Sequence, residues 1–146
     1  MSVYQKIIEV SKLIENIEKD MSVGGKYKGL SHAKIVKVVR PHLLDVGLIV
    51  APCKGEVVSS TFTTINKYDK EILNHKTEYS AMYDVIDAET GEKVTFGPFC
   101  GIGLDTQDKG PGKAQTYTNK YAFLQIFTLP TSDEIDRYES KEESIP

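Results

Sequence analysis

Apolar residues recur with a helical period from the start of the chain. Val3, Ile7, Val10, Ile14 and Ile17 share one stripe, widened by Ile8 and Leu13, with charged residues between them. That spacing predicts an amphipathic helix over residues 3 to 20 that ends near Met21. The Gly24-Gly25 pair breaks it, a short basic loop follows, and Ser31 is placed to cap a second helix carrying Ile35, Val38, Val39, Leu43 and Leu44. Pro41 lacks an N–H and should kink or interrupt this helix, and Gly47 suits its C-terminal cap. Leu48-Ile49-Val50-Ala51 then reads as a short strand.

From Glu56 to Leu104 the period changes. β-Branched and aromatic residues dominate, and alternation is visible from Thr77 to Val85. Asp87-Ala88-Glu89-Thr90-Gly91 is a hairpin loop, so residues 77 to 86 should pair antiparallel with residues 92 to 104, and a preceding strand over 56 to 66 extends the pair to a meander. Asn66 to Asn74 is polar and reads as a solvated loop. Gly110-Pro111-Gly112 is expected to turn the chain into a third helix over 113 to 127. The order is α-α-β-β-β-α, an α+β fold in which a curved antiparallel meander carries helices on one face. Residues 1 to 130 make one domain, and the acidic, polar stretch from 131 to 146 reads as a mobile tail.

Charge changes the picture more than composition does. The chain carries a net charge of −3, which by itself argues against a nucleic-acid partner. The tail holds Asp133, Glu134, Asp136, Glu139, Glu142 and Glu143 against Arg137 and Lys141, so residues 1 to 130 are slightly basic. Within that body the cations cluster. Lys26, Lys28, Lys34, Lys37 and Arg40 lie in an acid-free run from Met21 to Leu44, and Lys109, Lys113 and Lys120 lie in another from Lys109 to Leu129. Such blocks are the local footprint of an anionic partner, or else solvated helix faces. The two cysteines, Cys53 and Cys100, belong to no CxxC pair and read as small core residues in a reducing cytoplasm. Neither a signal segment nor a membrane-length apolar run is visible in the sequence.

Motifs for nucleotide chemistry fail on inspection. Gly112-Lys113-Ala114 would need glycine at position 107 and a hydroxyl at 114 to be a phosphate loop, and those places hold Gln107 and Ala114. Gly101-Ile102-Gly103 opens like a dinucleotide fingerprint, but Thr106 stands where the third glycine belongs. The titratable residues His32, His42, His75, Asp84, Asp105 and Asp108 show no ligand or triad spacing, so no cofactor is expected. Asp105 and Asp108 precede the third helix, where carboxylates satisfy its free amides. A metal-dependent nuclease using Asp84, Asp105 and Asp108, and a non-catalytic protein-interaction module, stand as alternative functions.

The third helix carries the more informative pattern. At 100° per residue Lys113, Tyr117, Lys120 and Leu124 fall on one arc, with Thr116 beside them. Lysines that track phosphate beside a ring that stacks on any base suit a single strand of nucleic acid. The same pattern also fits core tyrosines, at 117 and 121, bordered by solvated lysines.

The run Gly103-Leu104-Asp105-Thr106-Gln107-Asp108-Lys109, then Lys113-Ala114-Gln115-Thr116-Tyr117-Thr118-Asn119-Lys120-Tyr121-Ala122, then Phe127 and Pro130-Thr131, resembles the signature of the ERF (essential recombination function) family of phage single-strand annealing proteins. Tyr27, Pro41-His42-Leu43 and Gly47-Leu48 resemble the same family upstream, so the likeness covers about residues 5 to 133. Thr118 replaces a usual alanine, Gly110-Pro111-Gly112 is a stiff version of the family's loop, and an extended C-terminal region is reduced to the acidic tail. The resemblance implies a fold similar to the eukaryotic strand-annealing mediators, assembly into rings or filaments, and ATP-independent annealing of complementary strands in phage recombination, in the cytoplasm of the bacterial host. It also implies no catalytic residue. On this reading Lys109, Lys113, Tyr117 and Lys120 face single-stranded DNA. Lys34, Lys37 and Arg40, with Lys26 and Lys28, supply secondary contacts, and a host or phage single-strand binding protein is a further partner.

Overall fold

The structure is a computed structural model that describes residues 1–18, 21–23 and 27–130, with side chains described outside 21–29. Lys26 and the acidic tail therefore lie outside the described residues, as does the side chain of Lys28. The elements run α1 (Val3–Leu13), β1 (Met21–Val23), β2 (Tyr27–Gly29), α2 (His32–Val46), β3 (Leu48–Ile65), β4 (Glu71–Asp87), β5 (Lys93–Asp105) and α3 (Gly110–Ile126). Apart from the small β1–β2 ladder, this is the expected order of two helices, a three-stranded antiparallel open sheet and a third helix.

Two compact units share these elements. The first takes residues 1–49 and 86–93 with the end of α3 from Phe123, and the second takes Val50–Val85 and Val94–Ala122. In the first unit α1 packs on α2, and the core holds Val3, Val10, Ile14, Ile17, Ile35, Val39 and Phe127. Ser2 caps α1 by accepting from the Gln5 N–H, while the Gln5 side chain accepts in return from the Ser2 N–H. The helix stops at Leu13, not near Met21, because Ile14 turns to extended backbone. Ile14 and Ile17 stay buried all the same, and the Ile17 N–H donates to the Pro130 carbonyl, so a helical spacing is satisfied here without a helix. The expected basic loop is in part the β1–β2 hairpin, with Met21 opposite Gly29 and Val23 opposite Tyr27.

Helix α2 begins and ends as its caps dictate. Ser31 accepts from the Lys34 N–H at 3.1 Å, and Gly47 takes the left-handed conformation at φ 74°. Pro41 lies inside it without interrupting it. One buried ion pair ties α1 to the hairpin loop: Lys6 Nζ donates to Asp87 Oδ1 at 2.9 Å, with the two side chains 7% and 1% exposed. The Val3 N–H donates to Glu92 beside it. Asp87 also accepts from the Glu89 N–H, so the carboxylate shapes the turn as well as neutralising the lysine.

In the second unit the sheet order is β3-β4-β5, which leaves β3 and β5 as edges. β3 is one strand where two were expected. Pro52 and Gly55 lie within it, and an edge strand tolerates both. All residues from 52 to 65 are exposed, among them Val57, Val58, Phe62 and Ile65. β4 begins at Glu71, six residues before the alternation that marks it, and the intervening loop shrinks to a turn in which Asn66 accepts from the Tyr68 and Lys70 N–H groups. Cys53 and Cys100, expected in the core, are both exposed because they stand on the sheet's edge strands.

A candidate nucleic-acid interface on the third helix

Helix α3 owes its position to an absence of side chain. Gly110, Ala114, Thr118 and Ala122 recur every four residues and are all buried, forming a stripe of small groups. Gly101 and Gly103 on β5 meet them. A Cβ on Gly103 would stand 2.1 Å from the Gly110 carbonyl oxygen and 2.8 Å from the Ala114 nitrogen, and one on Gly101 would stand 2.6 Å from Thr118 Oγ1. The Gly-x-Gly that fails as a dinucleotide motif is thus a seat for the helix backbone. The Thr118 hydroxyl donates to the Ala114 carbonyl at 2.7 Å, which leaves no buried polar atom of that side chain wanting. Gly110-Pro111-Gly112 is the first turn of α3 and not the turn before it, with proline where its missing N–H costs nothing.

Asp105 anchors the start. Its Oδ2 accepts from the Gln107 N–H at 3.2 Å and the Lys109 N–H at 3.0 Å, while Oδ1 accepts from Lys113 Nζ at 3.1 Å. The Lys109 N–H first, and then the Lys113 ammonium, hold this carboxyl below the ordinary aspartate range. Lys113 donates also to the Leu104 carbonyl at 3.1 Å, so its ammonium is steered to one place rather than left to swing. Asp105 thus orders the loop that leads into α3 and positions Lys113; the amides it accepts from, Gln107 and Lys109, precede the helix, so it does not cap the first turn as expected.

The outward side of α3 carries the aromatics. Tyr117 and Tyr121 are each 41% exposed, so neither is a core residue. The Lys120 ammonium lies over both rings, 5.9 Å from the Tyr117 centroid and 5.7 Å from that of Tyr121. Facing inward on the same helix, Asn119 accepts from the Tyr83 hydroxyl, and Tyr83 stands edge-on to Phe99 at 5.7 Å. Burial, with Tyr79 nearby, pushes the Tyr83 hydroxyl up to about 12, so it remains a donor at any working pH. Between α3 and the strands lies a cavity of about 570 Å³ bordered by Tyr79, Tyr117, Tyr121, Ser80, Glu56 and Glu78.

The structure brings Lys109, Lys113, Tyr117 and Lys120 together at the start and along the outward side of α3. Lys34, Lys37 and Arg40 lie on α2, in the other unit, where Lys37 and Arg40 are exposed and Lys34 is half-buried. The three aspartates weighed for nuclease chemistry have separate surroundings. Asp84 is buried and accepts from the Thr95 hydroxyl at 2.5 Å, Asp105 is engaged as described, and Asp108 is exposed. Among the described residues no group of three or more His, Cys, Asp and Glu is placed to hold a metal ion, and no helix is long and apolar enough to cross a membrane. Sequence reasoning passed over Tyr79 and treated Tyr121 only as a core alternative. For Tyr79 the signal that could have found it is Gly55, whose missing side chain leaves room for the Tyr79 ring, 3.2 Å from where a Cβ would stand.

No curated protein sequence matches the chain. A family model does, over residues 3–145, and by that match the chain belongs to the ERF superfamily.

Proposed function

We propose that this protein binds single-stranded DNA and promotes ATP-independent annealing of complementary strands during phage homologous recombination in the bacterial cytoplasm. Membership of the ERF superfamily suggests phage recombination and strand annealing in general, by annealing proteins that are generally not catalytic enzymes. The finer reading is carried by the exposed pair Tyr117 and Tyr121 with the Lys120 ammonium across both rings. Aromatic faces stack on any base and a neighbouring cation meets the phosphate, which is the chemistry of sequence-tolerant single-strand binding. Lys109 and Lys113 extend the cationic line along the helix start, and Lys34, Lys37 and Arg40, with Lys26 and Lys28, are secondary contacts.

Modest charge in one copy becomes a continuous track when copies repeat it, so the reading includes a homo-oligomer, as a ring or a filament. The open edge of β3 supports this: from Val57 to Asn66 it carries no charge to guard it against pairing. A host or phage single-strand binding protein is a further partner in the same scheme. The test is annealing of complementary oligonucleotides without nucleotide or metal. It should proceed, weaken steeply with salt, and fall when Lys113 and Lys120 are both replaced by alanine. Unchanged DNA binding in that double variant would remove this face from the proposal.

A further inference from the structure

The sheet of the second unit has two unlike faces. A Cβ on Gly101 or Gly103 would meet α3, and Thr77 Oγ1 lies 2.9 Å from where a Cβ on Gly110 would stand. The odd-numbered side chains around Thr77 on β4 and Gly103 on β5 therefore face the helix, and the even-numbered ones face away. β3 keeps the same parity: a Cβ on Gly55 would meet the Tyr79 ring at 3.2 Å, while on the other face Asn74 Nδ2 donates to Thr64 Oγ1 at 2.9 Å. The face away from α3 thus carries Val58 and Phe62 on β3 and Ile102 and Leu104 on β5, which are 41 to 56% exposed. Between these margins, on β4, Lys76 pairs with Glu78 at 3.0 Å, the two side chains being 36% and 49% exposed. Alternation also turns the side chains of Glu56 and Glu78 away from the cavity that their residues border beside α3.

An antiparallel sheet that shows one face to water carries polar residues there, so four large apolar side chains along its two margins mark a docking surface. The charges say what covers it. Lys54 and Lys76 balance Glu56 and Glu78, so the face is neutral and does not draw a polyanion. It is complementary to itself. A two-fold axis lying across the strands at the level of Thr77 exchanges positions 76 and 78, and so sets Lys76 of each copy on Glu78 of the other. Gly103 lies at the same level, since it and Thr77 both abut Gly110, so the same rotation brings Ile102 against Leu104. We propose that this face is an isologous interface with a second copy of the chain, closed by Ile102 on Leu104 and by exchange of the Lys76 and Glu78 pairs between copies. It is separate from the open edge of β3 and does not rest on the single-strand reading.

Cys100 is exposed on the same face, so its N-ethylmaleimide labelling, read on its own peptide by mass spectrometry, reports whether the face is covered. In the full chain without DNA, labelling should slow as protein concentration rises, in step with the mass measured by sedimentation. The exchange of charge is tested by mixing two variants, Lys76→Glu and Glu78→Lys. Each alone sets like charges against each other across the axis and should need about tenfold or more protein to associate, whereas an equimolar mixture should return to the parent midpoint. A pair restored only by mixing cannot come from the contact within one chain. Labelling of Cys100 that is equally fast at every protein concentration overturns the interface, and this measurement needs no variant. A mixture no better associated than its two components also overturns it. Protection of Cys100 by an oligonucleotide at a concentration where the parent protein is monomeric does so too, and gives the face to DNA. Because association is read without DNA, failure of the single-strand reading leaves the interface standing, and failure of the interface leaves that reading intact.

Discussion

Two glycine-to-alanine substitutions, nine residues apart, should move stability in opposite directions. At Gly103 an added Cβ falls 2.1 Å from the Gly110 carbonyl oxygen, roughly 1.3 Å inside the closest ordinary contact of 3.4 Å. The atoms it meets are backbone of α3, which no rotamer change can move aside. The helix must lift from β5 and loosen the whole stripe of Ala114, Thr118 and Ala122, so the cost should reach or exceed the upper end of overpacking, about 3 kcal/mol. At Gly112 a Cβ meets nothing within 4 Å, and the residue is exposed in the first turn of the same helix. Alanine there should stabilise by about 0.5 to 1 kcal/mol, through the lower entropy of the unfolded chain and better helix propensity. Urea denaturation followed by circular dichroism measures both. With a slope of about 2 kcal/mol/M, Gly103→Ala should lower the midpoint by about 1.5 M and Gly112→Ala should raise it slightly. Equal midpoints for Gly103→Ala and the parent protein would refute the reasoning, and so would a loss at Gly112 matching that at Gly103.

Three other outcomes follow from the geometry. Lys120→Ala should reduce the salt dependence of single-strand binding by about 0.7 in log K against log salt, the share of one phosphate contact. Lys113→Ala should reduce it less, because Asp105 already pairs that ammonium; equal changes in salt titrations would contradict the assignment. Lys6→Met leaves the Asp87 carboxylate buried without its cation and should lower the melting temperature by on the order of 10 °C, read by calorimetry; a shift within error would mean the pair contributes nothing. Stability should fall in two stages on acidification. Burial lowers His32 below its ordinary 6.5, so its contribution is complete above that pH and is lost as pH falls through it. The hydrogen bond from Lys6 to Asp87 and the Lys109 N–H on Asp105 lower those carboxyls, whose contribution is lost only below about 3.8. Midpoints measured between pH 7 and 5 in His32→Gln should be flat where those of the parent protein slope.

Local chemistry that acts through its own neighbours was legible in the sequence. Ser31 and Gly47 bound α2, and the Asp87 to Gly91 loop joins β4 to β5. What escaped depends on contacts between distant segments. The buried stripe of α3 is glycine, alanine and threonine, so the usual contrast between apolar and polar faces is missing, and only the paired glycines of β5 reveal which side packs. The helical spacing of Ile14 and Ile17 is filled by extended chain because the Pro130 carbonyl takes the Ile17 N–H. Lys6 is buried because its partner, Asp87, lies 81 residues away, a pairing no local pattern shows. At the candidate site, the arc of Lys113, Tyr117 and Lys120 was readable from 100° spacing, whereas the cavity with Tyr79, Glu56 and Glu78 exists only once three strands are brought alongside the helix.

The unguarded edge of β3 has a consequence for handling the molecule. Among the described residues the side of β3 away from β4 has no strand partner, and anything that pairs with that edge would add a stabilising term that grows with its concentration. Should copies pair there as the proposed oligomer requires, a melting temperature would have meaning only beside the concentration at which it was taken, and dilution would itself be a perturbation.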